Sequence, residues 1–148
     1  MKKRLLVIGP DHSSKKELVK ELEGNQQLQF ISSIIYYNEC ILIPESYLRS
    51  PGMKKHIIST QQNAYGVLMV LHSERKSRMY PPNFAKSFRI PTVGVVIGQK
   101  DKDREQLLDC HRELTEAKVD VIYELDLNIQ EELQYLLHKL EKVKEGNQ

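Results

Sequence analysis

The stretch Gly9-Pro10-Asp11-His12-Ser13-Ser14-Lys15-Lys16 carries the residue types and spacing best suited to chemistry. It follows directly on the apolar run Leu5-Leu6-Val7-Ile8 and leads into the helical run Glu17 to Glu23. A phosphate-binding loop of the pattern G-x-x-x-x-G-K-[ST] needs this strand–loop–helix context, because loop amides and a lysine then converge on an anion at a helix N-terminus. Gly9 stands at the first glycine and Lys15 at the lysine, but Ser14 replaces the second glycine and Lys16 the hydroxyl residue. A serine adds a side chain where backbone N–H groups must approach phosphates closely, and a left-handed backbone there would add roughly 1–2 kcal/mol of strain. Lys16 exchanges a Mg²⁺ ligand for a cation. Gly9, Ser13, Ser14, Lys15 and Lys16 thus form a degenerate phosphate site, in which Lys15 and the loop amides could still meet an anion weakly. The same residues also read as a plain strand–turn–helix with an Asp or Ser cap.

The elements that must position this loop can be read from periodicity. The run after the loop sets Leu18, Val19 and Leu22 on one helical face, and Gly24-Asn25 stops it. Gln29 to Tyr37, rich in aromatic and β-branched residues, reads as a strand or irregular extended segment; Cys40 to Ile43 is a short strand ended by Pro44. Ser50-Pro51 opens a helix through Thr60. Ala64 to His72 and Thr92 to Ile97 are continuous apolar runs, the pattern of strands buried on both faces. Between them lies the break Tyr80-Pro81-Pro82, with Asn83 expected to cap a short helix through Phe88. Asp101 to Lys118 predicts a helix with Leu107, Leu108, Leu114 and Ala117 inward. Val119 to Tyr123 is the last expected strand. Asn128 is expected to cap a final helix striped by Ile129, Leu133, Leu136, Leu137, Leu140 and Val143, and Lys144 to Gln148 read as a frayed tail. Strands alternating with helices predict a small doubly wound α/β domain with a parallel sheet covered on both faces, one domain over residues 1–148.

Composition narrows the function classes. The net charge of +2 provides no basic field for nucleic acid, and most lysines sit beside glutamates on helical faces. The apolar run after Met-Lys-Lys-Arg is too short for a signal peptide or a membrane span, and no other segment reaches a span's length, so a cytoplasmic location is expected. Cys40, Cys110 and the five histidines show neither metal-ligand spacing nor a disulfide framework. His12 lies within the loop, where it could touch an anion when protonated, but reads first as solvent-facing. Tyr36, Tyr37 and Tyr47 read as core or edge packing. Asp109 and Glu113, like charges four apart on a helix, suggest an exposed face. His72 to Arg78 is a polar, basic loop at the carboxyl end of a central strand, where open α/β sheets bind ligands, and reads equally as a solvated loop or as one facing a ligand or partner.

With the elements in place, the chain resembles the EutP/PduV family of ethanolamine and propanediol utilisation, small P-loop relatives of Ras-like GTPases. Tyr80-Pro81-Pro82-Asn83-Phe84-Ala85 is similar to that family's proline loop, F-P-P-G-F. Ile41 to Leu48 looks like its D-T-P-G-E-Y region, Gln29 to Tyr37 like its T-Q-A-V-E-[FY] segment, and Pro91 to Ile97 like the strand before T-K-x-D. The resemblance implies a three-layer P-loop NTPase fold of the Ras-like GTPase kind, a mostly parallel central sheet flanked by helices. It also marks the departures. Leu42 stands where an aspartate would hold Mg²⁺ through water, and Glu45, after Pro44, where a glycine N–H would meet the γ-phosphate. Gly98-Gln99-Lys100 falls where T-K-x-D would read a base, though Lys100 with Asp103 could imitate that motif after a shift. Asp126 replaces the serine of the last base-contacting loop.

These losses touch separate roles, so the resemblance implies a retained scaffold whose nucleotide site is degenerate. The expected role is binding or assembly in ethanolamine or propanediol utilisation, with a protein partner in a metabolic microcompartment, rather than efficient NTP hydrolysis. No metal ligand set is expected and Mg²⁺ has lost both of its holding positions. The alternative is a functional ATP- or GTP-binding protein or phosphotransferase that uses Lys15 and the loop amides.

Overall fold

A computed structural model describes residues 2–146. Its centre is a six-stranded sheet in the order β2-β3-β1-β4-β5-β6. The strands are β1 (Arg4–Ile8), β2 (Ile35–Tyr36), β3 (Cys40–Leu42), β4 (Ala64–His72), β5 (Thr92–Ile97) and β6 (Val121–Leu125). All neighbours are parallel except the β2–β3 pair. The two continuous apolar runs coincide with β4 and β5, and every residue of both is buried. A strand with helices on both sides has no wet face, so alternation disappears from its sequence.

Two helical layers cover the sheet. On one side, Leu6, Ile8, Val67, Met69 and Leu71 pack with residues of α2 (Ser46–Arg49), α3 (Lys54–Thr60) and α4 (Arg104–Ala117). On the other, Leu5, Val7, Leu68, Val70 and Val95 pack with α1 (Ser13–Glu23) and α5 (Gln130–Gly146). Chain order places β3 on one side of β1 and β4 on the other. The loop after β1 therefore lies at a topological switch point, where open sheets leave a crevice. Gly24 ends α1 in a left-handed conformation, φ 65°, and its N–H bonds back into the helix.

Several expectations shift. Leu108 points outward, 51 % exposed, and the inner face of α4 is Leu107, Cys110, Glu113, Leu114 and Ala117. Glu113 is completely buried, so the exposed carboxylate face expected of Asp109 and Glu113 is half wrong. The last strand starts at Val121, not Val119, because Lys118 turns the chain in a left-handed conformation, φ 71°, and Val119 packs into the core from that turn. Asn83 makes no side-chain cap; it takes φ 66° ahead of a 3-10 turn over Phe84–Ser87. Before α5, the Asp126 carboxylate accepts from Asn128 N–H and Glu132 reaches back to Asp126 N–H, while Ile129 is exposed. The helix α5 continues into the expected tail; residues 147 and 148 lie outside the described ones.

Candidate functional site

Gly9 sits at the end of β1 with φ 144°, and a Cβ there would lie 2.5 Å from the Val70 carbonyl oxygen. Only glycine satisfies both the conformation and the close approach of β4. Four residues later α1 begins, and its start is satisfied from within. His12 is extended (φ −132°, ψ 155°) and its Nδ1 accepts the Ser14 N–H at 3.1 Å, with Ser14 Oγ 2.8 Å away. The His12 carbonyl accepts from the Lys15 and Lys16 amides. Ser14 is thus an ordinary helical residue, and among the described residues it shares none of the left-handed backbone seen at Asn83 and Lys118. The strain that a serine would bring to a phosphate loop does not arise, since the helix starts before the lysine.

Lys15 is 2 % exposed. Its ammonium donates to the Gly9 carbonyl (2.8 Å), to Asp11 Oδ1 (3.0 Å) and to the Ile43 carbonyl (3.4 Å). Burial lowers its pKa, and the charge and hydrogen bond of Asp11 oppose that shift. An ammonium has three protons, so all its donors are used. Above it, Asp11 and Glu45 clasp each other: Asp11 N–H donates to Glu45 Oε1 (2.9 Å) and Glu45 N–H to Asp11 Oδ1 (3.0 Å). Glu45 also pairs with Arg49 at 3.1 Å. Asp11 therefore supplies the contacting counter-charge of the lysine, and Glu45 adds a more distant one.

The remaining candidates are dispersed. Lys16 is exposed and lies 5.5 Å from the centre of the Phe30 ring, a cation–π contact. Leu42 is buried in β3, and the Pro44 carbonyl accepts from Tyr47 N–H. Ser13 lines a cavity of about 370 Å³ together with His12, Glu17, Gln99, Asp103 and Asn128, at the carboxyl edge of the sheet. Lys100 is drawn away to Glu132 at 3.2 Å, whereas Asp103 accepts from Gln99 N–H and Ser73 Oγ, both at 3.0 Å. The Gln99 amide, then Ser73, hold the Asp103 carboxyl below its usual range. The two do not form a joint base-reading pair here; Asp103 closes its own loop.

His12 is no free loop side chain. It stacks on His72, ring centres 3.7 Å apart at 14°, and its Nε2 lies 3.3 Å from Glu74 Oε1. Because Nδ1 accepts an amide proton, the neutral ring carries its proton on Nε2, facing Glu74. His72, 7 % exposed, has its pKa pushed down to about 4, by burial first and then by His12.

Sequence reasoning also missed the polar core beneath the basic loop. Glu113 Oε2 accepts the Met79 and Tyr80 amides, each at 2.8 Å, and Oε1 lies 2.9 Å from Arg75. That Arg75 contact is an ion pair without hydrogen-bond alignment. Arg75 also binds Asp109 (2.8 Å) and directs Nε to Cys110 Sγ (3.0 Å). Tyr80 is delivered into the core, its hydroxyl within bonding distance of the Ile8 (3.2 Å) and Val70 (3.0 Å) carbonyls. The signal existed: Glu113 falls on the same helical face as Cys110, Leu114 and Ala117.

A family model described as ethanolamine utilisation – propanediol utilisation, PduV-EutP, matches residues 1–142. The chain belongs to the PduV-EutP family. No curated protein sequence matches it significantly. Among solved structures, it is similar to translation elongation factor SelB from Methanococcus maripaludis in complex with the GTP analogue GppNHp, at 13 % identity and TM-score 0.57. That match covers 100 % of this PduV-EutP chain and 35 % of the SelB chain, so the chain spans about a third of that relative's length. Roco2 RocCORdC from Methanosarcina barkeri, bound to GDP, aligns at 14 % identity and TM-score 0.48, over 95 % of this chain and 48 % of that one. The PduV-EutP chain has the P-loop GTPase fold. Within it, Gly9, Asp11 and Ile43 take the three donors of Lys15, and Asp11 is held in turn by Glu45. No helix among the described residues is long and apolar enough to cross a membrane.

Proposed function

We propose that this PduV-EutP chain acts as a binding or assembly protein of ethanolamine or propanediol utilisation, with a degenerate nucleotide site that does not hydrolyse NTP efficiently. The observation that carries the reading is the closed state of Lys15: Gly9, Asp11 and Ile43 take its three donors, and Glu45 seals the clasp. A phosphate arriving there must displace a carboxylate and break bonds around a buried cation, which sets a cost before any affinity appears. Hydrolysis further needs a positioned metal, and Lys16 and Leu42 offer it no oxygen ligand from their side chains. A protein partner in a metabolic microcompartment is part of the proposal, as is a cytoplasmic location.

Calorimetric titration of ATP and GTP, each with and without Mg²⁺, tests it. The expected result is no binding below millimolar concentration. Affinity tighter than roughly 100 μM, about −5.5 kcal/mol, that falls sharply on Lys15→Ala would overturn the reading in favour of a functional nucleotide-binding protein or phosphotransferase.

A further inference from the structure

The free edge of the sheet at β6 combines three properties. First, its backbone is open. Leu125 C=O accepts from Gly98 N–H, and β6 pairs with β5 in regular parallel register from Val93↔Val121 to Ile97↔Leu125. Alternation along a strand then leaves the N–H and C=O of Ile122 and Glu124 pointing away from the sheet. Second, exposed apolar side chains lie on β6 and on the elements beside it. Of the six exposed large hydrophobics among the described residues, Val121 lies in β6, Tyr135 beside it on α5, Ile129 just before α5, and Leu108 one turn before His111 on α4. Tyr135 meets Tyr123 edge to face at 6.0 Å, and both line a groove of about 480 Å³ that His111 also lines. Third, the groove is acidic although the chain as a whole is +2. Of the lysines there, Lys100 in the lining is committed to Glu132 and Lys139 sits over the Tyr135 ring at 5.2 Å, while Glu124 and Glu131 form no ion pair among the described residues, so three carboxylates face two cations.

We infer that β6 is a strand-addition site for an extended, basic segment of a partner protein, with lysine or arginine alternating with small apolar residues. Main-chain bonds to Ile122 and Glu124 would provide the pairing, and Glu124 and Glu131 the choice of charge. Charge also argues against a second copy of this chain as the occupant. Antiparallel self-pairing centred on Tyr123 sets Asp120 opposite Asp126; centred on Ile122 it sets Asp120 opposite Glu124; centred on Glu124 it sets that carboxylate opposite itself. Like charges directly opposite destabilise a strand pair. Two strands, β4 and β5, separate β6 from β1 and its Lys15 loop, so the titration of nucleotide on Lys15→Ala and the peptide titration below fail separately.

The test is titration of the ¹⁵N-labelled chain with a short capped peptide of alternating lysine and valine, and separately with its glutamate–valine counterpart. The lysine peptide should move and protect the Ile122 and Glu124 amides, and the glutamate peptide should not. Glu124→Lys and Glu131→Lys, both on exposed positions, should each weaken the lysine peptide by about fivefold, with circular dichroism confirming an intact fold. Unmoved amides at millimolar lysine peptide would overturn the assignment. So would equal binding of both peptides, or movement of the same amides on raising the concentration of the protein alone, which would make the occupant a second copy.

Discussion

Lys15→Met separates a lysine waiting for phosphate from one built into the fold. Methionine keeps the apolar stem in place and removes only the ammonium. The wild-type group serves two carbonyls, Gly9 at 2.8 Å and Ile43 at 3.4 Å, and the Asp11 carboxylate at 3.0 Å. A hydrogen bond from a charged donor is worth about 1.5–3 kcal/mol; the Gly9 bond falls in that range and the long Ile43 bond well below it. Asp11 is half exposed, at 51 %, so its pair with Lys15 adds less than about 1 kcal/mol. Against this stands the burial of the ammonium, whose lowered pKa records a desolvation cost that methionine escapes. The balance is a loss of about 2 kcal/mol, since the carbonyls stay behind without partners. For a chain of this length that is a fall in Tm of about 4–8 °C, measured by circular dichroism and urea titration without nucleotide. A variant as stable as the parent, or more stable, would refute the argument. It would mean that the lysine is held at a cost to the fold, as functional side chains often are.

Stability should also fall as pH drops from about 6.5 to about 4, because His72 is held neutral in the fold and titrates normally when unfolded. The unfolded chain then binds the extra proton, so the loss grows towards about 3 kcal/mol at the acid end; subtracting the profile of His72→Gln isolates it, and superimposable profiles would sink the idea. Glu113→Ala should cost about 3–5 kcal/mol by leaving the Met79 and Tyr80 amides without an acceptor and Arg75 with Asp109 as its one remaining carboxylate, and Glu113→Gln, which keeps an acceptor, clearly less; equal urea midpoints for the two would contradict this. Gly9→Ala should cost roughly 2–4 kcal/mol, since its Cβ meets the Val70 carbonyl and its φ is left-handed; an unchanged Tm would be incompatible with that packing.

Much of the fold was legible because burial on both faces writes itself as unbroken apolar runs, as in Ala64–His72 and Thr92–Ile97. Legibility failed where a turn carried an apolar residue. Val119 looks like strand but serves the core from a left-handed turn, so β6 was read two residues early. It failed again where a charge was buried: Glu113 and Leu108 exchange the places that polarity assigns them. At the site, the spacing found Lys15 but not its partners. Asp11 stands four residues before it, a spacing that α-helical pairs make familiar, yet the loop motif drew attention to what was missing rather than to what had replaced it. The stacked histidines could not be read at all, since His12 and His72 come from different strand ends.

The loop from His72 to Pro82 carries Arg75, Lys76 and Arg78, a natural target for trypsin. Yet it is fastened at Ser73 to Ile97, at Arg75, Met79 and Tyr80 to Glu113, and at Arg78 to Glu116. A protease must draw a segment out into its own cleft, and here that means pulling Tyr80 out of the core and opening the ends of β1 and β4 together. Digestion at these basic residues should therefore track global unfolding rather than local fraying, which makes the loop a built-in reporter of how often the whole molecule comes apart.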